Sequence, residues 1–219
     1  MTRLPTRGLY AVTDTSLTDD RGLLACVEQA LHGGAAAIQY RDKTADPATA
    51  LSRAHALLSL CRGYGVPLIV NDDVALAAKV GADGVHVGRQ DAAVRDARAA
   101  LGAGAIIGAS CYHDLALAQQ AVADGASYVA FGRFFTSRTK PGQALATPEL
   151  LQQARAHLPV PVVAIGGITA ANGASLVAAG AHMLAVIHDL WSGEDCAARA
   201  RALCRCFGPA PGGDLYTSR

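Results

Sequence analysis

The feature that most constrains this chain is a short apolar run that recurs eight times, with a helix-like segment after most of the copies. The runs have the length and composition of buried strands and cover residues 8–14, 35–41, 67–72, 84–88, 105–110, 128–135, 160–168 and 183–190. The alanine-rich segments between them are long enough for helices, as at 23–32, 47–64, 115–123 and 148–157. Such an alternation predicts a parallel sheet covered by helices.

Eight strand and helix units are the number that closes a (β/α)₈ barrel. An open doubly wound sheet normally has fewer strands and a Gly-x-Gly-x-x-Gly turn after the first of them. Here the first run ends Val12-Thr13-Asp14, and no such glycines follow. We therefore predict an α/β fold, a single (β/α)₈ TIM barrel, forming one catalytic domain over residues 1–207. Residues 208–219, which contain two prolines and three glycines, are predicted to form a mobile C-terminal tail.

The composition excludes several classes of partner. A formal net charge of +1 provides no overall field that would attract nucleic acid or an anionic membrane. With 51% hydrophobic but only 5% aromatic residues, the core must consist of Ala, Val, Leu and Ile. We expect small-molecule substrates and no nucleic-acid or membrane partner. The oligomeric state stays open, and a homo-oligomer is compatible with the sequence.

The amino-terminal residues and the cysteines indicate a cytoplasmic protein. The first residues, Met-Thr-Arg-Leu-Pro, lack the apolar stretch of a secretory signal. No apolar run approaches the roughly 20 residues of a membrane span. The six cysteines have no paired metal-ligand spacing, so we expect free thiols.

Two acids stand at or just past the ends of neighbouring strand runs, Asp72 after Leu68-Ile-Val-Asn71 and Asp91 after Gly84-Val-His-Val-Gly88. A Mg²⁺ site commonly combines few protein carboxylates with water and substrate phosphate, and these two acids have that form. Either acid alternatively caps the helix that follows it, and Asp73 competes with Asp72 as the metal ligand. The sequence thus indicates Asp72 and Asp91 as Mg²⁺ ligands, with those alternatives open.

Basic and polar side chains collect at the same predicted edge of the sheet. Gln39, Arg41 and Lys43 occupy alternate positions, so a strand with a period of two would direct all three the same way. The segment 137–140, Ser-Arg-Thr-Lys, adds hydroxyls and the ammonium group of Lys140. Cations beside two metal-type acids indicate a diphosphate substrate carried with Mg²⁺. Ordinary surface ion pairs are the alternative.

A glycine pair ends the seventh run, in Ala164-Ile-Gly-Gly-Ile168. Backbone N–H groups can approach a phosphate closely at such a site, which is common in barrels that bind sugar phosphates. A close contact between strand and helix is the alternative. His86, inside the fourth run, is expected to be a hydrogen-bonded interior histidine. Cys111 beside Ser110 lacks an obvious base, so no serine or cysteine nucleophile is indicated.

In this order, the motifs resemble those of the thiamine-phosphate synthase (thiamine phosphate pyrophosphorylase) family. The resemblance starts at Gly8-Leu-Tyr-Ala-Val-Thr-Asp14, continues through Gln39-Tyr-Arg-Asp-Lys43 and the segments at 71–72, 83–91, 108–110, 128–140 and 164–168, and ends at Leu184-Ala-Val-Ile187. It is specific, because other barrels share the glycine pair but lack the Gln-x-Arg-x-Lys and paired-acid segments.

The resemblance implies a transferase that joins 4-amino-2-methyl-5-(diphosphooxymethyl)pyrimidine to a thiazole phosphate, giving thiamine phosphate and diphosphate. It further implies a dissociative route, in which the C–O bond breaks first and the thiazole nitrogen captures a pyrimidine cation. Such a route needs no protein nucleophile. The site has only to stabilise the leaving diphosphate, align the reactants and exclude water.

Carried over by position, the resemblance assigns residues to three groups. Those that would hold the pyrimidine diphosphate are Gln39, Tyr40, Arg41, Asp42, Lys43, Asn71, Ser110 and Lys140. Of these, the expected catalytic residues are Arg41, Lys43, Ser110 and Lys140. Asp72 and Asp91 would bind the cofactor Mg²⁺. Those that would surround the thiazole phosphate are Ser137, Arg138, Thr139, Gly167, Ile187 and His188.

Two positions depart from the family pattern, and two other functions remain as alternatives. Ser137 stands where a threonine is common, and His188 stands where many members have serine. A thiazole tautomerase of the same barrel family would keep the phosphate glycines but need neither diphosphate nor metal. A non-catalytic sensor of thiamine precursors would bind both ligands without releasing diphosphate. Retention of the acids and cations favours the synthase over both.

Overall fold

The computed structural model describes residues 4–16, 20–88, 93–136 and 145–208. Within them, parallel strands close into a barrel in chain order, which confirms the predicted (β/α)₈ fold. Pairing of β1 with β8, with Gly8 opposite Met183, completes the closure. The strands are β1 (Gly8–Val12), β2 (Ala35–Tyr40), β3 (Leu68–Asn71), β4 (Gly84–Val87), β5 (Ile106–Tyr112), β6 (Tyr128–Gly132), β7 (Val162–Ile165) and β8 (Met183–Val186).

Helices follow the strands, and aspartates begin several of them. Asp46 accepts hydrogen bonds from the amides of Ala48 and Thr49 at the start of α2, and Asp114 accepts one from Leu117 at the start of α5. Both are good N-cap residues. The helices are α1 (Asp20–His32), α2 (Pro47–Gly63), α3 (Val74–Val80), α4 (Val94–Leu101), α5 (Leu115–Ala123), α6 (Pro148–His157), α7 (Gly173–Ala179), α8 (His188–Trp191) and α9 (Cys196–Cys204), followed by a 3₁₀ turn (Arg205–Phe207).

The core forms two shells because side chains alternate along each strand. The outer shell lies between the sheet and the helices and includes Ile38 and Tyr40 of β2. The inner shell fills the barrel and includes Ala37 of the same strand. Gln39 points into the barrel as well, since its amide contacts Tyr10 of the inner shell. The barrel interior is therefore a packed core with polar groups in it.

Seven of the eight strands end one to four residues earlier than predicted, and two of these differences affect the site. Strand β2 ends at Tyr40, so Lys43 is an exposed residue of the following loop and is not the third member of an alternating set. Strand β8 ends at Val186, whereas residues 188–191 turn into the short helix α8. The prediction that the strand continued to 190 was wrong. The indole Nε1 of Trp191 donates to the carbonyl of Val12 across 2.6 Å and draws the apolar segment back over β1.

Three other expectations concern the whole chain. The six cysteines are free thiols, as predicted. The described part of the chain contains no helix long and apolar enough to cross a membrane. The tail from residue 209 onward lies outside the described residues.

Candidate active site at the carboxyl mouth of the barrel

The predicted polar residues that the structure describes gather where the strands end. Gln39 lies near the end of β2, Asn71 ends β3, and Ser110 lies near the end of β5. Gly167 follows β7, and His188 follows β8 closely. In a closed parallel barrel all these ends meet at one mouth, which is where barrel enzymes carry their active sites.

The backbone of Arg41 is held by a buried threonine of the neighbouring strand end. The Thr13 hydroxyl accepts from the Arg41 amide across 2.8 Å and donates to the Arg41 carbonyl across 3.1 Å. Thr13 is fully buried. A single side chain therefore satisfies both backbone groups of Arg41 where the strand ladder stops, and it fixes the point from which the guanidinium extends.

Asp42 holds the loop after β2 together. Its Oδ1 accepts from the amides of Thr44 and Ala45, both at 3.0 Å. Its Oδ2 pairs with Arg53 Nη1 of α2 at 2.5 Å, and the Asp42 side chain is only 1% exposed. Burial alone would raise the pKa of Asp42, but the Thr44 amide, the Thr15 hydroxyl and the Arg53 guanidinium outweigh burial and hold it well below its usual range. Asp42 is thus a charged anchor of the loop that carries Arg41 and Lys43.

Tyr40 lies outside the barrel interior. Its ring belongs to the outer shell, and its hydroxyl donates to Asp42 Oδ2 across 3.3 Å. Burial, and then the charge of Asp42, raise the pKa of Tyr40 above its ordinary value, so the phenol stays neutral. Its contact supports the same loop.

Asp72 and Asp73, the two candidate metal ligands after β3, make different contacts. Asp73 is the N-cap of α3, and its Oδ1 accepts from the Leu76 amide across 2.8 Å. Asp72 has a left-handed backbone with φ of 64°, a conformation that Asp tolerates better than most residues. Asn71 Nδ2 donates to Asp72 Oδ2 across 2.6 Å and orients that carboxylate. The Asp73 carboxylate is therefore used as a helix cap, whereas the Asp72 carboxylate lies at the strand end and is oriented by the hydrogen bond from Asn71.

A chain of hydrogen bonds crosses the barrel interior and was not predicted from the sequence. Gln39 Nε2 donates to Tyr10 Oη across 3.0 Å, and Tyr10 Oη lies 2.6 Å from Tyr128 Oη. His86 Nδ1 lies 2.9 Å from Tyr128 Oη, and His86 Nε2 lies 2.8 Å from Ser110 Oγ. We call these five residues the interior hydrogen-bond chain. The expectation for His86 as a hydrogen-bonded interior histidine is confirmed.

Burial keeps the two tyrosines of the interior chain neutral. It raises the pKa of Tyr10 and of Tyr128 well above the ordinary tyrosine value. The neighbouring thiol of Cys111 is also unreactive, because burial raises its pKa to about 12 and the thiolate is the nucleophilic form. The described part of the mouth offers hydrogen-bonding groups, and the Cys111 thiol within it is not an activated nucleophile. Tyr10 and Tyr128 were missed because an apolar run gives no signal of which ring reaches which partner.

A cleft of about 550 Å³ opens beside the ends of β7 and β8. It is lined by Gly166, Gly167, Thr169, Ile187 and His188, among others, so three of the predicted thiazole phosphate residues share one cleft. The Asp189 carboxylate, which also lines the cleft, accepts from the Ala170 amide across 3.4 Å. Arg199 Nη1 lies 3.6 Å from Asp189 Oδ1 and offsets that negative charge.

The glycine pair is required by a close contact with the loop after β6. A Cβ on Gly166 would lie 2.2 Å from the Arg133 Cβ, and one on Gly167 would lie 2.8 Å from the Phe135 Cβ. Their φ values of 106° and 68° also lie in the region that favours glycine. The close contact is with the loop after β6 and not with a helix. The glycine pair thus lets the end of β7 lie close against the loop after β6. The same loop leads into residues 137–140.

Several predicted site residues lie outside the described residues. They are Asp91, Ser137, Arg138, Thr139 and Lys140. Among the residues that the structure describes, no group of three or more His, Cys, Asp or Glu is arranged to hold a metal ion. A site of two acids completed by phosphate and water is not of that kind.

Comparison with known proteins gives one family. The family model described as thiamine monophosphate synthase matches residues 9–190. The thiamine-phosphate synthase of Thiobacillus denitrificans is 53% identical over 204 residues, covering 93% of this chain and 96% of that protein. The thiamine-phosphate synthase of Marinobacter nauticus is 52% identical over 202 residues, covering 91% and 90% respectively.

Solved structures agree with the sequence comparison. The thiamine phosphate pyrophosphorylase of Pyrococcus furiosus superposes with a TM-score of 0.83 at 32% identity, covering 92% of this chain and 96% of that chain. A 3-hexulose-6-phosphate synthase superposes at 0.69 with 20% identity, covering 92% and 100%, and shares the fold alone. The family model over residues 9–190 and these relatives lead to one conclusion: the chain belongs to the thiamine-phosphate synthase family.

Proposed function

We propose that this chain is a transferase that condenses 4-amino-2-methyl-5-(diphosphooxymethyl)pyrimidine with a thiazole phosphate, releasing diphosphate and thiamine phosphate. The observation that carries the proposal is the family match over residues 9–190, supported by relatives above 50% identity that bear the synthase name. The gathering of polar side chains at one barrel mouth is consistent with it.

The pyrimidine diphosphate is held by residues of β2, β3 and β5 in this proposal. Gln39 and Ser110 contact the pyrimidine part, and Asn71, at the end of β3 next to β2, contacts the same substrate. Arg41, Lys43 and Lys140 neutralise the diphosphate as its charge builds. Tyr40 and Asp42 act through the loop they stabilise, which positions the two cations.

Mg²⁺ is the cation that we propose for the diphosphate. The Asp72 carboxylate is a hard oxygen donor at the end of β3, and Asp73 is engaged as a helix cap, so the donor set fits Mg²⁺ with Asp91 as the second acid. Bound Mg²⁺ supplies positive charge that stabilises the leaving diphosphate. The protein's own part is to orient Asp72 through the hydrogen bond from Asn71.

The thiazole phosphate occupies the cleft at the ends of β7 and β8 in this proposal. Backbone N–H groups near Gly167, Ile187 and His188 are suited to its phosphate, and Ser137, Arg138 and Thr139 cover it from the loop after β6. The dissociative route then requires only that the thiazole nitrogen lies close to the pyrimidine methylene when the C–O bond breaks.

The reaction itself is the first test. Purified protein, both substrates and Mg²⁺ should give diphosphate and thiamine phosphate in equal amounts. A thiazole tautomerase would isomerise its thiazole without releasing diphosphate, and a sensor would bind both ligands without turnover. Either result would overturn the proposal.

The metal assignment is tested by a matched pair of variants. Asp72→Asn should raise the Mg²⁺ concentration needed for half-maximal rate and lower turnover, because an amide is a poorer ligand for a hard cation. Asp73→Asn makes the same change at the adjacent residue, and it should behave like the parent because asparagine is an equally good N-cap. Equal Mg²⁺ dependence in the two variants would exclude Asp72 as the ligand.

A further inference from the structure

In the interior hydrogen-bond chain, each group donates to the next in one order. That order decides whether Gln39 and Ser110 present a donor or an acceptor to a ligand at the mouth. Its two ends, Gln39 and Ser110, are proposed to contact the pyrimidine. Its middle members, Tyr10, Tyr128 and His86, lie in the interior with at most 8% of each residue exposed. What the two ends offer to a ligand depends on how the protons of the middle members are arranged.

The direction follows from counting protons. The Gln39 Nε2 group can only donate, so the Tyr10 oxygen accepts from it. The Tyr10 hydroxyl has one proton, and among the contacts of the described residues its acceptor is the Tyr128 oxygen, 2.6 Å away. With Gln39 Nε2 donating, the opposite direction would leave the Tyr10 proton without an acceptor among these described contacts, and buried polar groups are nearly always hydrogen-bonded. The Tyr128 proton is then directed to His86 Nδ1.

His86 links the order of donors in the interior to Ser110 at the mouth. When Nδ1 accepts from Tyr128, a neutral ring carries its proton on Nε2 and donates to Ser110 Oγ across 2.8 Å. The Ser110 hydroxyl proton is then directed to a ligand. At the other end, Gln39 commits its amide nitrogen to the interior and presents Oε1 as an acceptor.

We propose that Tyr10, Tyr128 and His86 are positioning residues that fix this polarity, so that the mouth presents Gln39 Oε1 as acceptor and the Ser110 hydroxyl as donor. The 4-amino group of the pyrimidine supplies the donor that Gln39 requires, and a ring nitrogen or phosphate oxygen accepts from Ser110. A 4-oxo pyrimidine diphosphate places a carbonyl against Gln39 Oε1 and is rejected. The identity of the ligand rests on the proposed function, whereas the direction of the chain does not.

The direction is measured on the ligand-free protein. Long-range ¹H–¹⁵N correlation spectra of histidine-labelled protein at pH 8 distinguish the two neutral tautomers, and a His86→Asn variant identifies the His86 signals among the 7 histidines. We expect the proton on Nε2. A proton on Nδ1 would overturn the proposal, because that tautomer requires the Gln39 carbonyl to face Tyr10 and the whole chain to run in reverse.

The effect on specificity is measured with a Tyr128→Phe variant. We expect the Nδ1-protonated form to appear and the KM for the 4-amino pyrimidine diphosphate to rise about tenfold, as for the loss of one hydrogen bond. The preference over the 4-oxo analogue, measured by competitive inhibition, should fall by a similar factor. The thiazole phosphate KM should stay within about twofold. If the His86 tautomer is unchanged and the KM values for both substrates rise equally, Tyr128 is only structural and the proposal fails.

A matched control lies on the surface. The Tyr64 hydroxyl is 2.7 Å from His32 Nε2 and makes the same kind of pair outside the barrel. Tyr64→Phe should leave the His86 tautomer and both KM values unchanged, and a change there would refute the assignment to the interior chain. If Tyr128→Phe fails to fold, Tyr10→Phe replaces it. This variant keeps the link from Tyr128 to His86, so the Nε2 tautomer should persist while the 4-amino preference falls; an unaltered preference would contradict the proposal.

The proposed activity and the proposed direction of the hydrogen bonds can fail independently of each other. If the parent releases no diphosphate, the proposed function is wrong while the tautomer measurement still decides the direction of the chain. If the parent is active but His86 carries its proton on Nδ1, the function stands and the polarity proposal is wrong.

Discussion

Removing the charge of Asp42 should destabilise the protein and loosen the loop that carries two substrate-binding cations. Asp42→Asn keeps an oxygen for the amides of Thr44 and Ala45 but loses the ionic contact with Arg53. A hydrogen bond to a charged group contributes about 1.5–3 kcal/mol. The Asp42 side chain is 1% exposed and that of Arg53 21%, so solvent screens the pair only in part. We expect a loss of about 2 kcal/mol, or about 4–8 °C in Tm for a chain of this size.

The pH dependence of the stability difference between parent and Asp42→Asn tests whether the charge of Asp42 causes it. The folded pKa of Asp42 is depressed, whereas an unfolded aspartate titrates near about 3.9. Its contribution is therefore fully present above the unfolded pKa and is lost as pH falls toward the folded pKa. Denaturant unfolding of parent and variant should differ by the full amount at pH 7 and by progressively less below about pH 4.

A neighbouring aspartate provides the control for this experiment. Asp46→Asn makes the same chemical change at the exposed N-cap of α2, where asparagine is an equivalent cap. Its stability should be close to that of the parent, and its KM for the pyrimidine diphosphate should be unchanged, whereas Asp42→Asn should raise that KM. An Asp42→Asn variant as stable as the parent, or one whose deficit is the same at pH 7 and pH 3, would refute the electrostatic reasoning.

Three further outcomes are expected. Gly166→Ala should destabilise the protein far more than Gly65→Ala, because a new Cβ would meet Arg133 at 2.2 Å whereas the Gly65 site is open; similar unfolding midpoints would contradict the contact. Lys140→Ala should slow diphosphate release in a single turnover by roughly 10²-fold, and a loss confined to thiazole affinity would disprove the leaving-group role. His188→Ser should preserve turnover and raise the thiazole phosphate KM by less than about tenfold if backbone N–H groups are the anchor; a larger rise would make the imidazole a ligand.

The placement of the site at one mouth could be predicted from the sequence because it depends on local patterns. Each apolar run followed by a helical segment fixes a strand direction, and eight of them in one order force the polar residues after each run to one end. Helices such as α5 and α6 were predicted with the observed bounds from their alanine-rich amphipathic segments, and in the structure Asp114 caps α5 and Pro148 opens α6. The family resemblance likewise depends on residues within short segments.

Other features depend on contacts between distant residues, and only the tertiary structure decides them. Tyr10 and Tyr128 are 118 positions apart, and the barrel register alone brings their hydroxyls to 2.6 Å. The end of β8 depends on Trp191 reaching Val12, which an apolar sequence does not reveal. The roles of Asp72 and Asp73 diverge because one adopts a left-handed backbone and the other caps a helix. The local sequence determines which groups reach the mouth, and long-range packing determines which of them touch and in which direction their hydrogen bonds run.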